Sequence, residues 1–367
     1  MSGVVGLGFF QAKGGRVENV PSDGPYSRAK VYRGSRLLGE VYSYDEGFRR
    51  LGFALPHSAF DLVGEDGVAL ISRLSRQRKA SGPGGVVLST RSRVDVEYTP
   101  DPQSFRNHVM RWKVGGQAEQ SADIKIPGED FAHGVIEVDD FVSAVRIYHG
   151  FVSHGIEPPM SCPIMLAGVG GEFPIRKYGR REGSSGDGFS TNMLIREHLG
   201  GLRMSVGGLS PAGAEDLIPA GEIVRIAGGV GVKPESIVMD SVRTLFSVSS
   251  MAHRSGYLLS DDQHWGNYMV CPDGRVRFVA DTGSAVKTAA DAPSDERVME
   301  EKKIAHMALG VMLGYGGLVG EPADEKGLIG GYGFDPEGMR RAVRWAAANM
   351  RNADEEARRK ALKLLGA

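Results

Sequence analysis

Cysteine is nearly absent. The chain has 367 residues and two cysteines, Cys162 and Cys271, neither with a CxxC partner. That excludes a disulfide scaffold and a finger-type zinc site, and leaves two buried free thiols as the expectation. Long apolar runs are missing too. No charge-free stretch reaches the roughly 18 residues that a membrane span needs. The opening "MSGVVGLGFFQAKGGR" has no basic residues ahead of its short apolar run, so no signal peptide is read. These absences place the protein in the cytoplasm, with no membrane partner. Charge of one sign is also lacking: 44 Lys and Arg face 45 Asp and Glu, a formal net charge of −1. A global polyanion-binding field is thereby excluded and nucleic acid is not an expected partner, although basic segments at 73–79 and 176–181 leave a local polyanion contact open.

What the chain does have is ordinary globular composition, 41% hydrophobic and 24% charged, and 52 glycines. That much glycine signals many tight turns and close backbone approaches rather than a helical bundle. The length suits about two domains.

Residues 1–110 read mostly as β. "AKVYRGSRLLGEVYSY" offers two short strands around Gly34–Ser35, and Val94, Val96 and Tyr98 alternate at the period of a half-buried strand. "RLSRQRKASGPGG" (73–85) reads as an exposed loop. In 138–153, Phe141, Val142, Val145 and Tyr148 fall at helical spacing behind an acidic start. "GIEPPMSCP" then breaks the chain, and a soft domain boundary is placed there. Residues 163–200 read as strand, turn, strand and flexible loop, then a helix "NMLIREHLGGL" capped by Ser190 or Thr191 and ended by Gly200–Gly201. A helix over 236–254 presents Val238, Val242, Leu245, Phe246 and Met251 on one face. "NYMVCPDGRVRFVAD" reads as a β-hairpin with Asp273–Gly274 in a type I′ turn. The tail reads as helices over about 294–314 and 335–365, capped by Ser294 and Asp335.

The stretch "LLSDDQHWGNYMV" (258–270) concentrates the chemistry. A helix delivers the chain to a loop holding Asp262, His264 and Asn267. The hairpin then returns Asp281 to the same end, because its two strands are antiparallel and tightly joined. Phosphoryl transfer needs such a set: a carboxylate for the acceptor hydroxyl, and a carboxamide oxygen with a second carboxylate for Mg²⁺. A polar turn capping the hairpin is the plainer alternative. Asp261 competes with Asp262 as the base, and Asp262 is preferred.

"DQHWGNYMV…RVRFVADTG" resembles the catalytic-loop and metal-loop pair of the protein-kinase-like superfamily. The form it resembles is D-x-H-x-x-N, a strand hairpin and D-x-G, as in aminoglycoside-phosphotransferase-like, HipA-like and phosphoinositide-kinase-like enzymes. The resemblance covers about 26 residues directly and, with the preceding helix and the helical tail, is consistent over 160–340. It implies Asp262 as catalytic base, His264 as support for the loop, and Asn267 and Asp281 as metal ligands. Thr282 replaces the usual aromatic or aliphatic residue of D-F-G, and Trp265–Gly266 lacks the lysine common in HipA-like loops.

A kinase-like site also calls for a cation on the α- and β-phosphates and a helix carboxylate to orient it. Lys177, at a strand end, and Glu197, on the following helix, resemble the HipA-like order. Gly168, Gly170 and Gly171 would let backbone amides approach phosphate. Lys125, in "SADIKIPG", is the rival lysine, Arg176 and Arg180 are rival phosphate contacts, and ordinary turns are the rival reading of the glycines.

The expected fold is therefore α+β, a two-lobed protein-kinase-like fold with an extra β-rich N-terminal region. Residues 1–155 form that region and contribute to the small lobe, 156–235 complete the nucleotide-binding small lobe and hinge, and 236–367 form the helical large lobe. The expected function is ATP- and Mg²⁺-dependent transfer of the γ-phosphate to a hydroxyl of a small molecule or protein. AMP transfer on the same fold, a catalytically inactive nucleotide-binding module, and an interaction protein working through its β-rich half are the alternatives. Acceptor and oligomeric state have no code in the sequence.

Overall fold

A computed structural model describes residues 15–50, 86–89, 94–100, 107–114, 120–125, 138–168, 192–197, 199, 201–205, 217–259, 262–280, 282, 285–288, 295–320, 329, 336–350 and 354–367. The chain is α+β and divides into two compact units, Met1–Arg146 with Cys162–His198, and Ile147–Ser161 with Leu199–Ala367.

In the first unit, nine of the described strands form one sheet. They are β1 (Gly15–Val20), β2 (Ser27–Arg33), β3 (Arg36–Ser43), β4 (Val86–Ser89), β5 (Val94–Pro100), β6 (Asn107–Val114), β7 (Gln120–Lys125), β8 (Pro163–Gly168) and β9 (Asn192–Glu197). Their order is β1-β2-β3-β8-β9-β7-β6-β5-β4, and every pairing is antiparallel. The two strands expected around Gly34–Ser35 are β2 and β3, and Gly34 supplies the positive φ of +60° that their tight turn needs. A short helix, α1 (Asp45–Arg50), follows β3.

The expected helix at 190–200 is instead strand β9. Met193, Leu194 and Ile195 are a short apolar run, which periodicity alone cannot divide between helix and strand. The vacancy between β7 and β8 decides it, because β9 pairs with both: Ile195 lies opposite Ile124 on one side and Met165 on the other. Ser190 and Thr191, the expected caps, lie outside the described residues, as does the loop at 73–85.

Helix α2 (Val138–Ser153) has the expected bounds, and its stripe Phe141, Val142, Val145 and Tyr148 is buried. The second unit contains helices α3 (Ala220–Val230), α4 (Pro234–Arg254), α5 (Asp295–Gly314), α6 (Pro336–Asn349) and α7 (Glu355–Leu365) together with short strands. The predicted α4 face, Val238, Val242, Leu245, Phe246 and Met251, is wholly buried. The single tail helix expected over 335–365 is two, because Asp354 restarts it: its carboxylate accepts the Ala357 N–H at 3.0 Å as an N-cap. Asp335 and Ser294 lie outside the described residues. No helix among the described residues is long and apolar enough to cross a membrane. Cys162 and Cys271 are buried and form no disulfide.

Strand β10 (Leu202–Arg203) pairs with β12 (Tyr268–Val270), which pairs with β13 (Val276–Phe278). Gly201, expected to end a helix, lies instead against the β12 backbone. A Cβ there would collide with the Val270 carbonyl oxygen, so only glycine fits. Strands β11 (Tyr257–Leu258) and β14 (Val286–Lys287) form a separate antiparallel pair.

Candidate active site

Helix α4 ends at Arg254, and β11 leads into the segment expected to carry the chemistry. Leu259 has its carbonyl bonded by the Asp262 N–H at 2.9 Å, and the Asp262 carbonyl accepts the His264 N–H at 3.0 Å. Trp265–Asn267 close a single 3₁₀ turn, with the Asn267 N–H on the His264 carbonyl at 2.9 Å. The Asn267 side chain turns back, and its Nδ2 donates to the Asp262 carbonyl oxygen at 3.1 Å. Asp262 and Asn267 are thus tied by a bond that spans five residues. A carbonyl cannot donate, so the amide nitrogen must face it and the amide oxygen is the end left over.

The floor of this loop is a buried polar relay. Gln263, fully buried, donates from Nε2 to Ser249 Oγ at 2.6 Å and accepts at Oε1 from the Tyr268 hydroxyl at 2.8 Å. Ser249 in turn donates to the Leu245 carbonyl at 2.7 Å. Burial pushes the Tyr268 hydroxyl far above its ordinary range, so it stays a proton donor. Trp265 packs edge-on against Tyr268 at 5.1 Å between centroids, and Tyr268 packs on Phe278 at 5.3 Å. Buried satisfied networks of this kind fix one conformation.

The hairpin holds the other side. Tyr268 pairs with Phe278 and Val270 with Val276, and the ladder continues where the Val279 N–H donates to the Asn267 carbonyl at 2.9 Å. The turn is not type I′. Gly274 has φ +77° while Asp273 keeps a negative φ, the Gly274 N–H bonds the Cys271 carbonyl, and the Cys271 N–H bonds the Arg275 carbonyl. Pro272 favours a type I start, and glycine alone takes the left-handed position. The outer edge of β13 rests on α4: the Val276 N–H donates to Asp240 Oδ2 at 2.7 Å, and Thr244 Oγ1 donates to the Val276 carbonyl at 2.9 Å. The segment before β8 covers the remainder, with Ser161 N–H on the Phe278 carbonyl and Phe278 N–H on the Pro159 carbonyl.

Ala280, the residue directly after Val279, has φ +53°. A left-handed alanine costs roughly 1–2 kcal/mol and persists only where the surroundings impose it.

The structure therefore brings Asp262, His264 and Asn267 together in one loop. Asp281 lies outside the described residues, as do Asp261, Gly170, Gly171, Lys177 and the rival phosphate contacts Arg176 and Arg180. Gly168 ends β8 and Lys125 ends β7. Glu197 ends a strand rather than sitting on a helix, and its Oε2 accepts the Cys162 N–H at 3.1 Å. Sequence reasoning missed Gln263, Glu300, Asp240 and Thr244. Only Gln263, inside the motif, carried any local signal.

No protein-family model and no curated protein sequence matches the chain. Among solved structures, an aminoglycoside phosphotransferase from Alicyclobacillus acidocaldarius subsp. acidocaldarius is similar at 12% identity over 77% of this chain and 87% of that one, with a TM-score of 0.25. A superposition that loose fixes neither fold nor site.

Proposed function

We propose that the protein is a phosphotransferase of two-lobed kinase-like fold, moving the γ-phosphate of ATP to a hydroxyl of a small molecule or protein in the presence of Mg²⁺. The observation that carries this reading is the closed loop. The Asn267 amide holds the Asp262 carbonyl at 3.1 Å, and the Val279 N–H holds the Asn267 carbonyl at 2.9 Å. The motif D-x-H-x-x-N thereby has a rigid base.

Asn267 suits a metal ligand. Its amide donor is spent on a carbonyl, so its oxygen remains for a cation, and an oxygen pair from Asn267 and Asp281 matches the hard-ligand preference of Mg²⁺. Mg²⁺, when bound, neutralises charge on the β- and γ-phosphate oxygens. Asp262 accepts the proton of the acceptor hydroxyl. That oxygen bonds to the γ-phosphorus, and the bond from phosphorus to the β,γ-bridging oxygen breaks, with its electron pair leaving on ADP. His264 supports the loop. Lys177 is assigned the α- and β-phosphates, Gly168, Gly170 and Gly171 the backbone approach to them, and Glu197 an orienting role for the lysine.

The test is label transfer. Wild-type protein should pass label from γ-labelled but not α-labelled ATP, and Asp262→Ala should lower kcat by about 10²–10⁴-fold. Asp281→Ala should abolish transfer without unfolding the chain. Transfer of α-label would assign AMP transfer instead, and full turnover by both variants would refute the assignment.

A further inference from the structure

Glu300 lies on α5, far from the catalytic motif in sequence, and its side chain is 3% exposed. Its carboxylate is divided between two partners. Oε1 accepts the backbone N–H of Leu259 at 2.7 Å, and Oε2 meets His253 Nε2 at 3.1 Å. His253 belongs to the last turn of α4, and its side chain is 5% exposed.

Stability alone does not account for this arrangement. Removing a carboxylate from water is expensive, and an apolar pair of similar volume commonly serves a core as well or better. What the carboxylate supplies is a defined position for one peptide. Leu259 is fully buried. Its N–H is held by Glu300, and its carbonyl accepts the Asp262 N–H at 2.9 Å. A single residue therefore links the Glu300 carboxylate to the backbone of the proposed base. On the far side of Asp262, Gln263 is fixed by Ser249 and Tyr268. Asp262 is held from both directions, and the upstream hold runs through α5.

We infer that Glu300 is a positioning residue for Asp262, acting through the Leu259 peptide, with His253 orienting its carboxylate. The inference deepens the phosphotransferase reading and rests on it. Misplacement of a reacting group by about 1 Å can cost on the order of 10²-fold in rate, so the effect belongs in kcat, while nucleotide affinity is untouched.

Three variants test it. Glu300→Ala should lower kcat by at least about tenfold with KM for ATP nearly unchanged, the pattern of a misplaced catalytic group. Glu300→Gln should restore most of the rate, since its amide oxygen accepts the Leu259 N–H and its nitrogen can face His253. Glu300→Asp keeps the charge but is one methylene short of spanning both partners. It should behave like the alanine variant, and it takes that variant's place if the alanine chain fails to fold. Amide hydrogen exchange at Leu259 and Asp262 is the independent arm, with both amides expected to exchange faster in Glu300→Asp than in wild type and in Glu300→Gln. Folded Glu300→Asp with wild-type kcat, or with wild-type protection at both amides, overturns the inference. A wild-type chain that transfers no phosphate overturns the functional reading instead, and the exchange arm then decides the anchoring by itself.

Discussion

Ala280 is the residue where local preference and tertiary demand conflict. Its φ of +53° is a left-handed backbone in a residue that is 2% exposed. The conformation is imposed from both sides: the ladder bond from Val279 to Asn267 fixes the chain before it, and the Ala285 N–H bonds the Thr282 carbonyl beyond it. Alanine tolerates that at modest cost, whereas a β-branched side chain does not. Ala280→Val should therefore lose about 1–3 kcal/mol from backbone strain and overpacking, read as a fall in urea midpoint at unchanged slope. A variant as stable as wild type would mean that this position carries no strain. No sequence pattern marks Ala280, because the strain comes from hairpin and loop closing around it.

At the scale of elements, the helix-to-strand contact at Val276 has a pH signature. Burial raises the Asp240 carboxyl above its ordinary 3.8, outweighing the Val276 N–H that favours the charged form. A raised carboxyl keeps its proton when folded at pH values where the unfolded chain has lost it. Its contribution to stability is thus complete below 3.8 and is lost as pH climbs through the higher folded value. Asp240→Asn keeps an acceptor for the Val276 N–H and has no charge to desolvate. Denaturant midpoints from pH 3 to pH 7 should show the asparagine variant gaining on wild type as pH rises; a trend in the opposite direction would show that the charged form is favoured. Asp240→Ala should cost about 1–3 kcal/mol by leaving a buried donor unpaired. The elements themselves were unevenly legible. Helices α2 and α4 were read nearly to the residue from long amphipathic stripes. Strand β9 was misread because six residues hold too little periodicity, and its neighbours in the sheet are remote in sequence. The hairpin was read correctly and its turn was not, because Pro272 outweighed the Asp-Gly signal.

For the whole molecule, the proposed chemistry makes stability depend on ligand. A nucleotide that binds only the folded chain adds about 2.7 kcal/mol at a hundred times its Kd. Thermal denaturation with ATP and Mg²⁺ should show a higher Tm than either alone, and Asp281→Ala should lose the Mg²⁺-dependent part of that shift. Equal midpoints with and without ATP and Mg²⁺ would count against nucleotide binding and so against the proposed function.

The sequence by itself determined the α+β content, the buried faces of the long helices, the hairpin, and the run of Asp262, His264 and Asn267 in one loop. Each of these depends on residues close together in the chain, where periodicity and turn chemistry act. Only the tertiary structure decided that β9 is a strand, that Asp240 and Thr244 carry the edge of the hairpin, and that Glu300 reaches Leu259. Those outcomes depend on which partner a backbone N–H or carbonyl finds once it is buried. That partner lies 32 to 41 residues away in the three side-chain contacts, beyond the reach of any local pattern.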